Sequence, residues 1–218
     1  MGILAARADR RWWECGSAER KLRDGNWTER PLRTLLVVAH VRRSSLTGQV
    51  ADAFAEAAGA NGHEFEWADL ARERFDPVLR EADEPDWDDP DKVYSEDVQR
   101  EMHRIERNEA TVMIFPIYWW SMPALLKGWI DRVWNNGWAY GARKFPHNRV
   151  WMIGIAGGLP DSFAKRGYDT AIQTQLDVGI LDYCGIRDRR LQLLHGSIEG
   201  EDYPTQILTQ ARTLGAEF

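Results

Sequence analysis

From residue 35 onward the chain alternates between two hydrophobic periods. LLVVA (35–39) is an unbroken, largely β-branched apolar run, the pattern of a strand buried on both faces. QVADAFAEAAGANG (49–62) spaces its apolar residues as a helix does and stops on Gly59 and Gly62. HEFEWADL (63–70) alternates as a second strand, and VQREMHRIERNEA (98–110) predicts an amphipathic helix. TVMIF (111–115) predicts a third, buried strand, and PALLKGWIDRVW (123–134) a helix with Pro123 in its first turn. RVWMIGIA (149–156) and RRLQLLHG (189–196) complete the strands, while YDTAIQTQLDVGILDYCG (168–185) and YPTQILTQART (203–213) predict the last helices.

Two stretches stand outside the alternation. Residues 1–30 mix charge, Trp and Gly without either period and read as a loosely attached extension, leaving 31–218 as the domain. FDPVLREADEPDWDDPDKVYSED (75–97) is rich in Pro and Asp and reads as a long excursion, of the kind that is functional or mobile in compact domains.

Strict alternation of short buried strands with helices implies a parallel sheet covered on both faces, because right-handed crossovers place the helices there. Five strands favour the order 2-1-3-4-5. In such an α/β sheet, ligands bind at the carboxyl ends of the strands, near the switch point between strands one and three. That directs attention to the loops after strands one, three and four.

The first loop, HVRRSSLTG (40–48), begins with His40 and sets Ser44, Ser45 and Thr47 just before a helix N-terminus, where hydroxyls, backbone N–H groups and the positive helix end suit an anion. It has no GxGxxG, so it is not a Rossmann dinucleotide fingerprint. The second, PIYWWSMP (116–123), ends its strand at Pro116 and then sets Tyr118, Trp119 and Trp120 at the ligand edge, flat surfaces suited to an aromatic ring system. Trp129, Val133 and Trp134 fall instead with Leu125, Leu126 and Ile130 on a helical core stripe. In the third loop, AGGLPDSF (156–163), Gly157 and Gly158 allow the backbone to approach a ligand closely.

Composition narrows the picture. With 218 residues, 44% hydrophobic and 28% charged, the chain fits one globular domain with a sizeable core. A net charge of -6 argues against a nucleic-acid partner, since phosphate binding wants a basic surface. Cys15 and Cys184 have no metal-type spacing, so zinc and structural disulfides are not expected and the chain reads as reduced and cytoplasmic. No apolar run approaches the ~20 residues that span a bilayer, so membrane insertion is not expected. The apolar stretch of MGILAARADRRWWECG is short for a signal peptide, and Ala6 stands where myristoylation wants Ser or Thr. EADEPDWDDPD is dense in carboxylates but lacks the calcium-loop spacing and glycine, so it reads as a solvated acidic loop without metal.

FPIYWWSMPALLKGWIDRVWNNGWAYG (115–141) resembles the signature of the flavodoxin-like NAD(P)H dehydrogenases (quinone), a group of NAD(P)H oxidoreductases that includes quinone reductases and flavoprotein ancillary subunits of potassium-efflux systems. The resemblance covers about residues 33–200. It implies a flavodoxin-like fold, bound FAD or FMN, NAD(P)H as co-substrate, a quinone-like acceptor and a homodimer. By the same resemblance His40, Ser45, Leu46 and Thr47 hold the flavin phosphate region. Pro116, Ile117, Tyr118, Trp119 and Trp120 line the isoalloxazine, and Ile155, Ala156, Gly157 and Gly158 meet its other side through backbone amides. Trp138 and Tyr140 are expected near the cavity or a dimer contact. Quinone reductases carry a Tyr and a His after the glycine pair; the matching positions here are Phe163 and Asp169, which leaves Tyr168 as the substitute donor. The resemblance implies hydride transfer from NAD(P)H to flavin N5 and on to the acceptor in ping-pong order. A transporter-regulating flavoprotein and a one-electron carrier are the alternative readings.

Overall fold

The computed structural model describes residues 30–218. Residues 1–29, and with them nearly all of the expected extension and Cys15, lie outside the described residues. The chain runs β1 (Arg33–Val38), α1 (Leu46–Ala60), β2 (Glu64–Asp69), α2 (Glu96–Glu106), β3 (Ala110–Pro116), α3 (Ala124–Val133) and β4 (Arg149–Ile155). After β4 come α4 (Pro160–Arg166), α5 (Tyr168–Ile172), a π-helix (Gln173–Asp182), β5 (Asp188–Leu194) and α6 (Tyr203–Glu217). All strand pairs are parallel, in the order β2-β1-β3-β4-β5.

The alternation of side chains along the central strands divides the core in two. Leu36, Val38, Val112, Ile114 and Ile153 face α1 and α6, meeting Phe54, Ile207 and Leu214. Leu35, Val37, Met113, Phe115 and Met152 face the opposite way, toward Ile105, Leu126, Trp129 and Leu176. β3 and β4 are buried along their whole length, which is why, Thr111 and Arg149 apart, their sequences are apolar.

The helix ends depart from the periodicity. α1 starts at Leu46 because Ser45 caps it, its Oγ accepting from the Gly48 N–H at 3.3 Å. α2 ends at Glu106, where Arg107 caps it and Ala110 already belongs to β3. Residues 160–163, expected as part of the loop 156–163, open α4, which Gly167 ends in the left-handed region (φ +69°). The α-helix expected over 168–185 is α-helical only to Ile172. In the π-helix that follows, each turn is one residue wider, and Asp177 and Asp182, five positions apart, both reach Arg189 at 3.1 Å.

The excursion is the main correction to the fold. Its acidic stretch is not simply solvated: Asp83 is 1% exposed and pairs at 2.7 Å with Arg132 of α3, itself 3% exposed. Arg132 also meets Asp97 at 2.7 Å and donates to the Asp76 carbonyl. Burial works against ionisation of Asp83, but bonds from Ser95 and Arg132 outweigh it and hold the carboxyl below its usual range. Further along, Asn136 Nδ2 donates to the Asp86 carbonyl at 2.8 Å, and the Pro77 carbonyl lies where a Cβ on Gly128 would sit. The excursion is therefore strapped to α3 and to the segment after it. Among the described residues, no helix is long and apolar enough to cross a membrane.

Candidate active site

Three loops meet at the carboxyl edge of β1, β3 and β4. In the first, the His40 Nδ1 accepts from the Arg42 N–H at 3.0 Å, which turns the chain out of the sheet. Arg43 then folds back over α1, donating to the Gly48 carbonyl at 2.9 Å and pairing with Asp52. Its own carbonyl lies where a Cβ on Gly48 would be, so only glycine fits there. Ser45 and Thr47 are buried and Leu46 half-buried, so the hydroxyls expected at an anion site belong to a well-ordered helix start. No acidic residue occupies the first turn of α1, leaving its positive end uncompensated.

The second loop contains an uncommon turn. The Tyr118 N–H donates to the Ser121 carbonyl at 2.9 Å and the Ser121 N–H donates back at 3.0 Å. The two central residues are Trp119 (φ +50°) and Trp120 (φ +56°). Two adjacent positive φ angles make a type I′ turn, normally taken by Asn and Gly. A non-glycine residue in the left-handed region costs about 1–2 kcal/mol, and such strain gathers at functional sites. The turn is held by the Ile117 N–H to Ile155 carbonyl bond at 2.8 Å and by Ser121 Oγ, which donates to Gln175 Oε1 of the π-helix at 2.8 Å.

The turn leaves Trp119 88% exposed and Trp120 38% exposed, with Tyr118 also exposed, whereas Trp129 is fully buried and donates to Glu101 at 2.9 Å. Pro116 is buried as the last residue of β3, and Ile117 is half-buried, its side chain lying against Gly154 of β4. The tryptophans of this segment thus divide between core and sheet edge along the line expected from Pro116 and Pro123.

The third loop leaves β4 with Ile155 and Ala156 buried and Gly157 and Gly158 half-buried. Ala156 continues the pairing with β5, its N–H donating to the Leu194 carbonyl at 2.8 Å. Phe163 is buried and has no proton to give; its ring lies between Tyr168 at 5.9 Å and His195 at 4.9 Å. Tyr168 is half-buried and lies over Trp120 with ring centroids 4.3 Å apart. Asp169 accepts from the Thr170 N–H at 2.7 Å.

Trp119, Trp120, Tyr168, Phe163 and His195 are therefore consecutive ring contacts along one edge of the sheet. His195 is the member that sequence reasoning missed. Its signal was present: a histidine directly after the fifth strand, which the parallel register Ile155↔Leu194 sets beside Ala156.

A separate cavity of about 350 Å³ is lined by residues that include Leu79, Trp87, Ile130, Trp134, Tyr140 and Tyr183. It lies by the C-terminal ends of α3 and the π-helix, hence toward the amino ends of the strands and away from the three loops. Burial pushes the Tyr140 phenol and the Cys184 thiol up to about 12 there. Tyr140 lines this separate cavity and not the sheet edge carrying the three loops, while Trp138 donates to Glu106 of α2 at 2.7 Å.

Comparison with known proteins gives a consistent picture. The model of a family described as having a flavodoxin-like fold matches residues 32–216. An Escherichia coli relative named as the uncharacterized NAD(P)H oxidoreductase YcaK is 38% identical over 189 residues, covering 84% of this chain and 96% of the relative. Among solved structures, an NAD(P)H:quinone oxidoreductase from Methanothermobacter marburgensis superposes with a TM-score of 0.81 at 28% identity, covering 86% of this chain and 96% of that one. An FMN-dependent NADH-azoreductase from Bacillus anthracis, solved in complex with FMN, has a TM-score of 0.60 at 19% identity, covering 85% and 96%, a likeness of fold alone.

Proposed function

Because the chain belongs to the family of flavodoxin-like fold and is an oxidoreductase, we propose that it is a flavin-dependent NAD(P)H oxidoreductase reducing quinone-like two-electron acceptors at the carboxyl edge of β1, β3 and β4. The observation that carries this reading is the strained Trp119–Trp120 turn, which holds indole at the sheet edge instead of in the core. Its neighbours fit a flavin. The uncompensated N-terminus of α1, with Ser45, Leu46, Thr47 and the preceding His40, suits the phosphate. Ile117 to Trp120 offer an apolar wall for the ring system, and Ala156 to Gly158 offer backbone without side-chain bulk. The azoreductase that shares this fold is solved with FMN, which supports a flavin at this edge.

When bound, the flavin supplies a centre that accepts a hydride from NAD(P)H and later gives up two electrons. The chain's share is binding, orientation and exclusion of water. Trp120 presents one planar face beside the ring site, so nicotinamide and acceptor use the same space in turn. Tyr168, stacked on Trp120, is the hydroxyl placed to donate a hydrogen bond where the related enzymes carry their Tyr/His relay. Phe163 contributes packing, its ring set edge-on against Tyr168.

We also propose a homodimer. Val78, Leu79, Trp87, Val178 and Tyr183 are large apolar residues left exposed on the excursion and the π-helix segment, and Leu79, Trp87 and Tyr183 of them line the cavity. A patch of this kind marks an interaction face. Sedimentation should give twice the monomer mass, and Trp87→Asp should lower it.

The flavin site is tested by stripping the protein and reconstituting it with FMN and with FAD. At least one should quench and bind stoichiometrically, and mass measurement of the native flavin names which. A protein that binds neither and does not oxidise NADH or NADPH with a benzoquinone overturns the reading.

A further inference from the structure

We propose that His195 is a positioning residue that sets the orientation of the Gly158–Leu159 peptide at the flavin site. The inference rests on the flavin reading above and adds to it a residue on a strand that takes no other part in the site. His195 follows β5, and the register Ile155↔Leu194 brings it alongside the glycine pair that follows β4. There its Nδ1–H donates to the Gly158 carbonyl at 3.2 Å. The Gly196 N–H donates to the same oxygen, also at 3.2 Å. Both lone pairs of that carbonyl are thereby engaged from the β5 side.

The rest of the segment is closed in the same direction. The Ser197 N–H donates to the Ala156 carbonyl at 3.0 Å, and Ile198 Cδ1 lies 3.2 Å from where a Cβ on Gly157 would be. Edge-on contact with the Phe163 ring, centroids 4.9 Å apart, fixes the imidazole plane. The side chain is thus held in two dimensions, by a bond at one nitrogen and by a ring at its edge.

The chemical consequence follows from the planarity of the peptide. In a trans peptide the carbonyl and the following N–H point in opposite directions. Holding the Gly158 oxygen toward β5 therefore aims the Leu159 N–H away from β5, to the side on which β3 and its tryptophan turn lie. Glycine at 158 imposes no preference of its own between the two peptide orientations. His195, together with the Gly196 N–H, makes the selection, presenting a donor to the ring and turning the carbonyl oxygen away from it.

The test uses the purified full chain with His195→Phe, which keeps a ring against Phe163 but has no donor, and His195→Asn, whose side-chain amide can replace the Nδ1–H. FMN affinity of the stripped proteins, the midpoint potential of the bound flavin and the split between kcat and KM are read together, with circular dichroism confirming the fold. One neutral hydrogen bond predicts roughly three- to tenfold weaker flavin binding in His195→Phe. A shifted midpoint potential should accompany it, and His195→Asn should return both toward wild type. Wild-type affinity and potential in His195→Phe overturn the proposal, as does equal impairment of the two variants, which would make packing the cause. Should His195→Phe not fold, His195→Leu takes its place with the same expectations. A wild-type protein that binds no flavin contradicts the functional reading itself, and is distinguished by that.

Discussion

Single residues show best how the same amino acid serves opposite ends. Trp129 and Trp120 lie in one short segment, yet one is a core residue and the other stands at a strained turn. Replacing a core tryptophan by Ala typically costs ~3–5 kcal/mol, because burial is lost and a cavity is left. Trp129→Ala should lose stability on that scale, while Trp120→Ala should keep its thermal midpoint within a few degrees and lose turnover with a benzoquinone. Equal unfolding of both variants, with normal turnover in what stays folded, would place Trp120 in the core. This division was legible from the prolines on either side of the loop. The left-handed turn was not, since neither tryptophan carries the Gly or Asn signal by which such turns are normally read.

A second residue-scale prediction concerns acid. His147 is buried, with Nδ1 at 2.8 Å from Thr111 Oγ1 and Nε2–H donating to the Ile105 carbonyl at 2.7 Å. Burial lowers its proton affinity below the ordinary value of 6.5, against the opposing effect of the Ile105 bond. His63 is lowered too, by partial burial and by Arg149. A histidine whose folded pKa lies below its unfolded one contributes its full stability above the unfolded pKa, and that contribution is lost as pH falls from there through the folded pKa. The denaturation midpoint should therefore stay nearly level above the ordinary histidine value of about 6.5 and fall as pH drops below it. His147→Gln should flatten part of the drop, and an unchanged slope would remove His147 from the account.

At the scale of elements, the strands were the most legible part. Buried on both faces, β1, β3 and β4 are predominantly apolar runs, and Pro116 marked where one of them stops. Helix α4 was hidden because Gly157, Gly158 and Pro160 together read as a turn, although Pro160 opens a helix. The π-helix was hidden because its residues still satisfy an ordinary helical pattern. The excursion was hidden for another reason: Asp83 and Arg132 are far apart in sequence, and nothing local marks either as a buried partner. Removing one member of a buried ion pair commonly costs ~3–5 kcal/mol, since the other charge is left unpaired. Arg132→Leu should therefore destabilise the protein on that scale and open the excursion to proteolysis near Asp83. A variant as stable and as resistant as wild type would show that the strap holds nothing.

For the whole molecule, alternation of strand and helix led directly to the sheet order β2-β1-β3-β4-β5 and to the edge on which we propose the site. What the pattern could not supply was lateral: which loops touch across the edge, and hence the row from Trp119 to His195, which depends on register between strands distant in sequence. The family match over residues 32–216 also predicts that a chain beginning at residue 30 binds flavin as the full chain does. Loss of flavin in that shortened chain would assign part of the site to the residues before it.

Whether the carboxyl edge of the sheet carries a flavin that cycles between NAD(P)H and a quinone is tested by an anaerobic titration of the purified protein. The protein should be yellow, and about one equivalent of NADH or NADPH per flavin should bleach its visible absorbance, as a two-electron transfer requires. One equivalent of a benzoquinone should then restore it. A protein whose absorbance neither nucleotide bleaches, or which once bleached is not restored by quinone, would contradict the account.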